Sequence, residues 1–255
     1  MPTLIAYALA DFPMVRQGDD VAQMIIDAAN AMDRPLLEGD KIIVAQKIIS
    51  KSEGRLVDLK TVRPSNRAKE IAAASGKDPR FVEVILQESV EILRVAPGIV
   101  IAAHHCGAIM ANAGIDRSNI DGGGTDDFIL LLPQDPDESC RKLREAIFLR
   151  LGLNVGLIIG DSLGRPWRMG TTGTAIGSSG LPALLDLRGR PDLYGRTLMV
   201  SEEAIGDELA ATASLLQGQG NEGLPVVIIR TDFDWDGPER PAAALARPKN
   251  MDLFR

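Results

Sequence analysis

NVGLIIGDSLGRPWRMG, residues 154–170, is the stretch on which the reading of this chain turns. Its first half is the most convincing buried strand in the sequence: a short apolar run, β-branched at Ile158 and Ile159, that ends on Asp161. Its second half is a polar turn that gathers Asp161, Ser162, Arg165 and Arg168. A carboxylate at the carboxyl end of a buried strand lies where open mixed sheets place ligand sites. Asp161 and Ser162 together offer two oxygen donors of the kind Mg²⁺ or Mn²⁺ accepts alongside water and phosphate. Each guanidinium can fork onto a phosphate or carboxylate. The competing reading is a solvated turn with Asp161 as its turn-former.

Working outward, TLIAYAL near the start and VVIIR at 226–230 read as strands, and KIIVAQKII at 41–49 as another. Asp19 or Asp20 can cap a helix carrying Val21, Met24, Ile25 and Ala28. Ser65 caps a helix from Asn66 to Ser75 that Gly76 stops. Pro79 opens a helix expected to cover PRFVEVILQESVEIL, 79–93. GIVIAAHHCGAIMANAGI predicts two short strands about Gly107, DGGGTDD (121–127) a flexible turn, and LLLP the end of a further strand. Helices are expected at 137–151 and about 203–217, with the Gly- and Ser-rich TTGTAIGSSG before the second. Strands and helices mix without strict alternation, which predicts an α+β fold of mixed sheets with flanking helices, possibly in two interleaved subdomains, over a doubly wound sheet. Residues 1–234 are expected to form the main domain. Residues 235–255, rich in Pro, Ala and charge, are expected to be a loosely attached tail.

The 255 residues are 45% hydrophobic, enough for a sizeable core. A net charge of −7 argues against a nucleic-acid partner. Cys106 and Cys140 are too few for a disulfide framework and point to a reducing, cytoplasmic setting. No apolar run approaches the roughly 18 residues that span a bilayer, so no membrane partner is expected.

Three other segments carry candidate chemistry. NAGIDRSN (112–119) offers Asp116 as a second carboxylate and Asn119 as an amide for a base or phosphate, against the plain alternative of an Asx-turn. LLQGQGNEG (215–223) matches G-x-G-x-x-G. It follows a helix and precedes a strand, the reverse of the dinucleotide fingerprint, which it therefore is not. Its N–H groups can still meet phosphate, and Gln219 can give a metal an amide oxygen. ISKSEGR (49–55) places Lys51 after a strand as a point charge for phosphate, or in a solvated turn. His104, His105 and Cys106 invite a zinc reading, but neighbours on a strand point to opposite faces and partners at finger spacing are absent.

Eight segments occur in one order: IISKSEGR, PSNRAKEIA, NAGIDRSN, LLPQDPD, DSLGRPWR, AIGSSG, DLYGR and LLQGQG. In sequence and spacing, from about residue 11 to 230, they resemble the coenzyme F420-0:L-glutamate ligase (F420-0:γ-glutamyl ligase) family. The resemblance implies a GTP-dependent ligase requiring Mg²⁺ or Mn²⁺, two ions per site and possibly K⁺, in an intertwined homodimer. It would join L-glutamate to the lactyl carboxylate of coenzyme F420-0, and further glutamate by a γ-linkage. Carried over by position, Asp116, Asp161, Ser162 and Gln219 match metal ligands. Lys51, Asn119, Gln217, Gly218, Gly220, Asn221 and Glu222 match nucleotide contacts. The chain departs from the family at Gln46 and Lys47, where a small hydroxyl pair is usual. It departs again at Asp11, Phe12, Pro13 and Met14, where a Gly-Leu-Pro-Leu type of turn is usual. Both places correspond to nucleotide contacts. Arg165 and Arg168 suit the acceptor's carboxylate or phosphodiester. A ligase for another acid or amine, or a nucleotide- or deazaflavin-binding module without turnover, are the rival readings.

Overall fold

The computed structural model of the chain describes residues 1–120 and 127–253; most of the turn expected at DGGGTDD lies outside them. The first lobe opens with β1 (Leu4–Ala8), α1 (Val21–Ala31), β2 (Lys41–Ala45) and α2 (Gln46–Ser52). A second lobe follows: β3 (Leu56–Asp58), α3 (Asn66–Ser75), α4 (Pro79–Gln87), β4 (Ser89–Ala96), β5 (Ile99–His104), β6 (Ile109–Ala111) and β7 (Phe128–Leu130). The chain then returns to the first lobe through α5 (Pro136–Leu151), β8 (Gly156–Arg165), β9 (Arg168–Ser179), β10 (Leu185–Asp186), β11 (Glu202–Glu203), α6 (Ile205–Gln217) and β12 (Val226–Thr231). This is an α+β fold, with the second lobe inserted between two halves of the first.

The main sheet has strand order β1-β12-β2-β8-β9, with β2 and β8 parallel and the other neighbours antiparallel. Its central strands carry unbroken apolar runs, Ile42–Ala45, Leu157–Ile159 and Val226–Ile229, because both faces are covered there. Ile42, Val44, Leu157 and Ile159 point to one side, into a core with Ile25 of α1 and Ile147 of α5. Ile43 and Ile158 point to the other, against Ile205, Leu209 and Ala213 of α6. The second lobe has its own core, where Ile71, Phe81, Val82 and Ile85 of α3 and α4 pack on Val100 and Ala102 of β5.

Helix ends follow local chemistry. Asp20 accepts the Gln23 N–H, Ser65 the Ala68 N–H and Asp135 the Glu138 N–H, while Gly76 and Gly152 take the left-handed conformation after α3 and α5.

Four expectations need correction. KIIVAQKII is a strand only to Ala45, after which Gln46–Ser52 is helical and buries Gln46, Ile48, Ile49 and Ser50. The helix from Pro79 ends at Gln87, because Ser89–Ala96 pairs with Ile99–His104 in a hairpin closed at Pro97-Gly98. The polar half of 154–170 is no turn: β8 continues four residues past Asp161, and β9 returns through TTGTAIGSS as its partner. The loose tail is docked in part, with Ala242 buried and the Ala242 and Ala243 amides donating to the Asp137 carboxylate at 2.8 and 3.2 Å.

TTGTAIGSS reads as a loop because small residues hide a strand, and those residues are small for a reason. A Cβ on Gly173 would stand 2.2 Å from the carbonyl oxygen of Ala210 in α6. Gly173→Ala is expected to cost about 1–3 kcal/mol by forcing helix and sheet apart. Gly164→Ala, where nothing lies within 4 Å, is expected to be near neutral; thermal melts of the two variants check the contrast.

Candidate active site

At the crossing of β8 and β9 a bulge puts Ile176 out of register, between the pairs Ile159–Gly177 and Gly160–Ala175. Bulges of this kind re-aim neighbouring side chains. The next residue is Asp161, paired with Thr174, followed by Ser162 opposite Gly173. Here the sheet emerges from its helical cover, and Asp161 and Ser162 line a cavity of about 600 Å³.

Asp116 reaches the same region from the second lobe. The turn before it holds Asn112 and Ala113 with positive φ (53° and 55°), Ala113 fully buried. The Asn112 Oδ1 accepts the Val100 N–H, and Asp116 exchanges both backbone hydrogen bonds with Leu130. That bracing fixes where its carboxylate points. Asp116 Oδ2 lies 2.5 Å from Lys47 Nζ, and both side chains are about three-quarters buried. Burial pushes the Asp161 carboxyl up; the Ser162 N–H and Lys47 oppose this, and the charge of Asp116 adds to it.

The glycine loop closes the cavity. Gln219 Nε2 donates to Ser162 Oγ at 2.7 Å, and Gln217 Nε2 to the Pro225 carbonyl at 3.1 Å. Asn119 ties the lobes together: its Nδ2 donates to the Gly220 carbonyl at 3.2 Å, and its carbonyl accepts from Lys51 Nζ at 2.8 Å. Lys47 and Lys51 stand one turn apart on α2, so both face the cavity. Gln46 lines it too, and although its Oε1 accepts from Ser50, its buried Nε2 has no partner among the described residues. Buried donors are nearly always satisfied, so this one marks a place for a ligand atom.

Phe12, Pro13, Met14, Gly218, Gly220 and Asn221 also line the cavity. Asp116 stands just behind the wall, on Lys47, and two further candidates lie outside it. Asp11 is exposed outside it, at positive φ, and the Glu222 carboxylate folds back on its own loop to accept the Gly220 N–H at 2.8 Å. Sequence reasoning missed Gly173, Ala210 and Ser214 as walls, since small residues carry no chemical signal of their own. It also missed that Lys47 pairs with Asp116.

Arg165 and Arg168 face elsewhere. They flank the two-residue tip Pro166-Trp167 of the β8–β9 hairpin and line a second cavity of about 1580 Å³ between the lobes. The two cavities share Gly173 as a wall. Arg165 Nη1 is buried there without a hydrogen-bond partner among the described residues. His104, by contrast, is committed to the second lobe: its Nδ1 accepts the Cys106 N–H at 3.0 Å, and its Nε2 lies 3.6 Å from Glu88, which Arg55 also holds.

Among the described residues no three His, Cys, Asp or Glu side chains converge as a closed metal cage. The donor set is hard and sparse instead: two carboxylates, a hydroxyl and an amide. That suits Mg²⁺ or Mn²⁺ held jointly with phosphate and water rather than by protein alone. A cation already fits there, since the Lys47 ammonium sits on Asp116.

This is an α+β chain with oxygen donors, two lysines and a glycine loop about one cavity and two arginines in the next. Residues 10–231 match the family model described as F420-0:Gamma-glutamyl ligase. The chain is 44% identical to the coenzyme F420:L-glutamate ligase of Methanothermobacter thermautotrophicus over 95% of both chains. It is 44% identical to that of Methanopyrus kandleri over 100% of this chain and 99% of the relative. With that of Methanocaldococcus jannaschii it shares 46% over 87% and 86%. The chain belongs to the F420-0:gamma-glutamyl ligase family, and it is an enzyme that forms carbon–nitrogen bonds. Among the described residues, no helix is long and apolar enough to cross a membrane.

Proposed function

We propose that this enzyme joins L-glutamate to the lactyl carboxylate of coenzyme F420-0 at the expense of GTP. A carboxylate does not condense with an amine in water, because its oxygen is a poor leaving group. Its oxygen attacks the γ-phosphorus, the bond to the β-phosphate oxygen breaks, and GDP leaves an acyl phosphate. The glutamate amine then attacks the acyl carbon, phosphate departs with the electron pair of the C–O bond, and the nitrogen gives up a proton to form the amide.

The observation that carries this reading is the convergence of Asp161, Ser162, Gln219, Lys51 and the 217–221 loop at one cavity, with Asp116 joined to its wall through Lys47. Asp116, Asp161, Ser162 and Gln219 would hold the divalent ions. When bound, those ions would offset charge on the transferring phosphoryl. Lys51 and the loop N–H groups would take the remaining charge, and Gln46 Nε2 is a spare donor for the nucleotide. The rest is positioning.

The second cavity is assigned to the deazaflavin acceptor, its carboxylate directed past Gly173 toward Ser162. Arg165→Ala is expected to raise the acceptor KM about 10- to 100-fold, the value of a charged hydrogen bond, with GTP affinity unchanged. Initial rates at varied acceptor and varied GTP separate the two.

A homodimer belongs to the same reading. Trp167, Met169, Leu193, Tyr194, Met199 and Val200 are all strongly exposed and offer apolar side chains that a partner subunit would cover. Light scattering in solution tests it.

The deciding experiment incubates the protein with GTP, Mn²⁺, glutamate and F420-0 and follows the deazaflavin by mass spectrometry. Gain of a glutamyl unit with stoichiometric GDP supports the proposal. GTP consumption without that gain would assign the enzyme to another acid or amine.

A further inference from the structure

Lys47 is the one group of the site whose position the reaction does not explain. Its ammonium sits on the Asp116 carboxylate at 2.5 Å, whereas Lys51, one turn along α2, holds the Asn119 carbonyl. An exposed ion pair would mean little. This one is about three-quarters buried, and its ammonium also acts on Asp161, whose carboxyl is pressed by burial and by the charge of Asp116. Without Lys47, the charge of Asp116 would act on Asp161 with no ammonium to offset it.

The same arrangement sets conditions on metal entry. Two carboxylates and one ammonium sum to −1, about half the pull on a divalent ion that the acids alone would exert. An ion arriving alone must also displace the ammonium from Asp116 and leave it beside a second positive charge. An ion arriving with a triphosphate brings the anion that can receive the ammonium, and Lys47 lines the cavity proposed for that triphosphate. A lysine stem turns about four single bonds, so its charge can change partner without backbone movement.

We propose that Lys47 is an internal counter-cation: it holds Asp116 until metal and nucleotide arrive together, then passes to the phosphates, so that divalent binding is ordered behind nucleotide binding. This rests on the reading of Asp116 and Asp161 as metal ligands.

The test is direct Mn²⁺ binding to the full chain, read from the electron paramagnetic resonance of free Mn²⁺, with and without a non-hydrolysable GTP analogue. Lys47→Met and Lys47→Gln are expected to bind Mn²⁺ alone about tenfold more tightly than the wild type, equivalent to about 1.4 kcal/mol. The analogue is expected to tighten Mn²⁺ less in these variants than in the wild type, whereas Lys47→Arg should keep the wild-type pattern. If neither variant gains affinity for Mn²⁺ alone while Asp116→Asn still weakens binding, the counter-cation role is wrong and the metal site stands. If Asp116→Asn leaves Mn²⁺ binding unchanged in the wild-type and Lys47→Met backgrounds, the metal site falls, and the proposal with it.

Discussion

Asparagine in place of Asp161 is expected to lower metal-dependent ligation by about 10²- to 10³-fold or more while leaving the fold equally or more stable. The loss follows from the chemistry, since a preorganised charge aimed at a developing phosphoryl transition state is worth about that much. The stability follows from the burial. The Asp161 carboxyl is pushed up, chiefly by desolvation and against the pull of Lys47. A carboxyl with a folded pKa above its unfolded value disfavours its own charge in the folded state, so ionising it above the unfolded pKa costs stability that a neutral amide does not cost. Asparagine keeps an Oδ1 for the Ser162 N–H, which now donates to Asp161 at 2.8 Å. Initial rates of glutamyl transfer with Mn²⁺ and a thermal melt without metal are the two measurements. A variant that ligates at near wild-type rate, or that melts well below the wild type, would refute the role given to this residue. The trade is common at active sites, where function retains groups that the fold alone would exclude.

The largest expected loss of stability lies away from the chemistry. Asp40 precedes β2 with its side chain fully buried, and its two carboxylate oxygens accept from Arg230 Nε and Nη2 of β12, both at 2.7 Å. One of those oxygens also accepts the Leu37 N–H at 2.9 Å. Asp40→Ala removes the acceptor and leaves both donors behind. Breaking a buried pair in this way costs about 3–5 kcal/mol. Because Arg230 is partly open to water, the lower end applies, a melting temperature roughly 6–12 °C lower for a chain of this length. Arg141→Ala, which removes exposed pairs with Glu138 and Glu145 on α5, is expected to leave the melting temperature essentially unchanged. Equal shifts in the two variants would overturn this ranking.

Much of the fold is legible in the sequence wherever a residue acts on its own neighbours. Ser65, Gly76, Pro79 and Gly152 mark helix ends because capping and φ preference operate within a few residues. The unbroken apolar run of β8 announces a strand covered on both faces, and the order helix, glycine loop, strand excludes a dinucleotide fold around 218–223. The motifs also carry the family, since eight ordered segments cannot arise from composition. Tertiary structure decided what depends on partners far along the chain. Whether 46–52 or 89–96 is helix or strand rests on which edges are available to pair, and periodicity over a few residues does not contain that. TTGTAIGSS became a strand because β8 supplies its hydrogen bonds and α6 needs its missing side chains. Above all, the pairing of Lys47 with Asp116 spans most of the second lobe. The sequence by itself determined the acids, lysines and glycines available to the site. Only the folded chain could bring both lysines onto NAGIDRSN, Lys47 on the Asp116 carboxylate and Lys51 on the Asn119 carbonyl, because that segment lies far along the chain from α2.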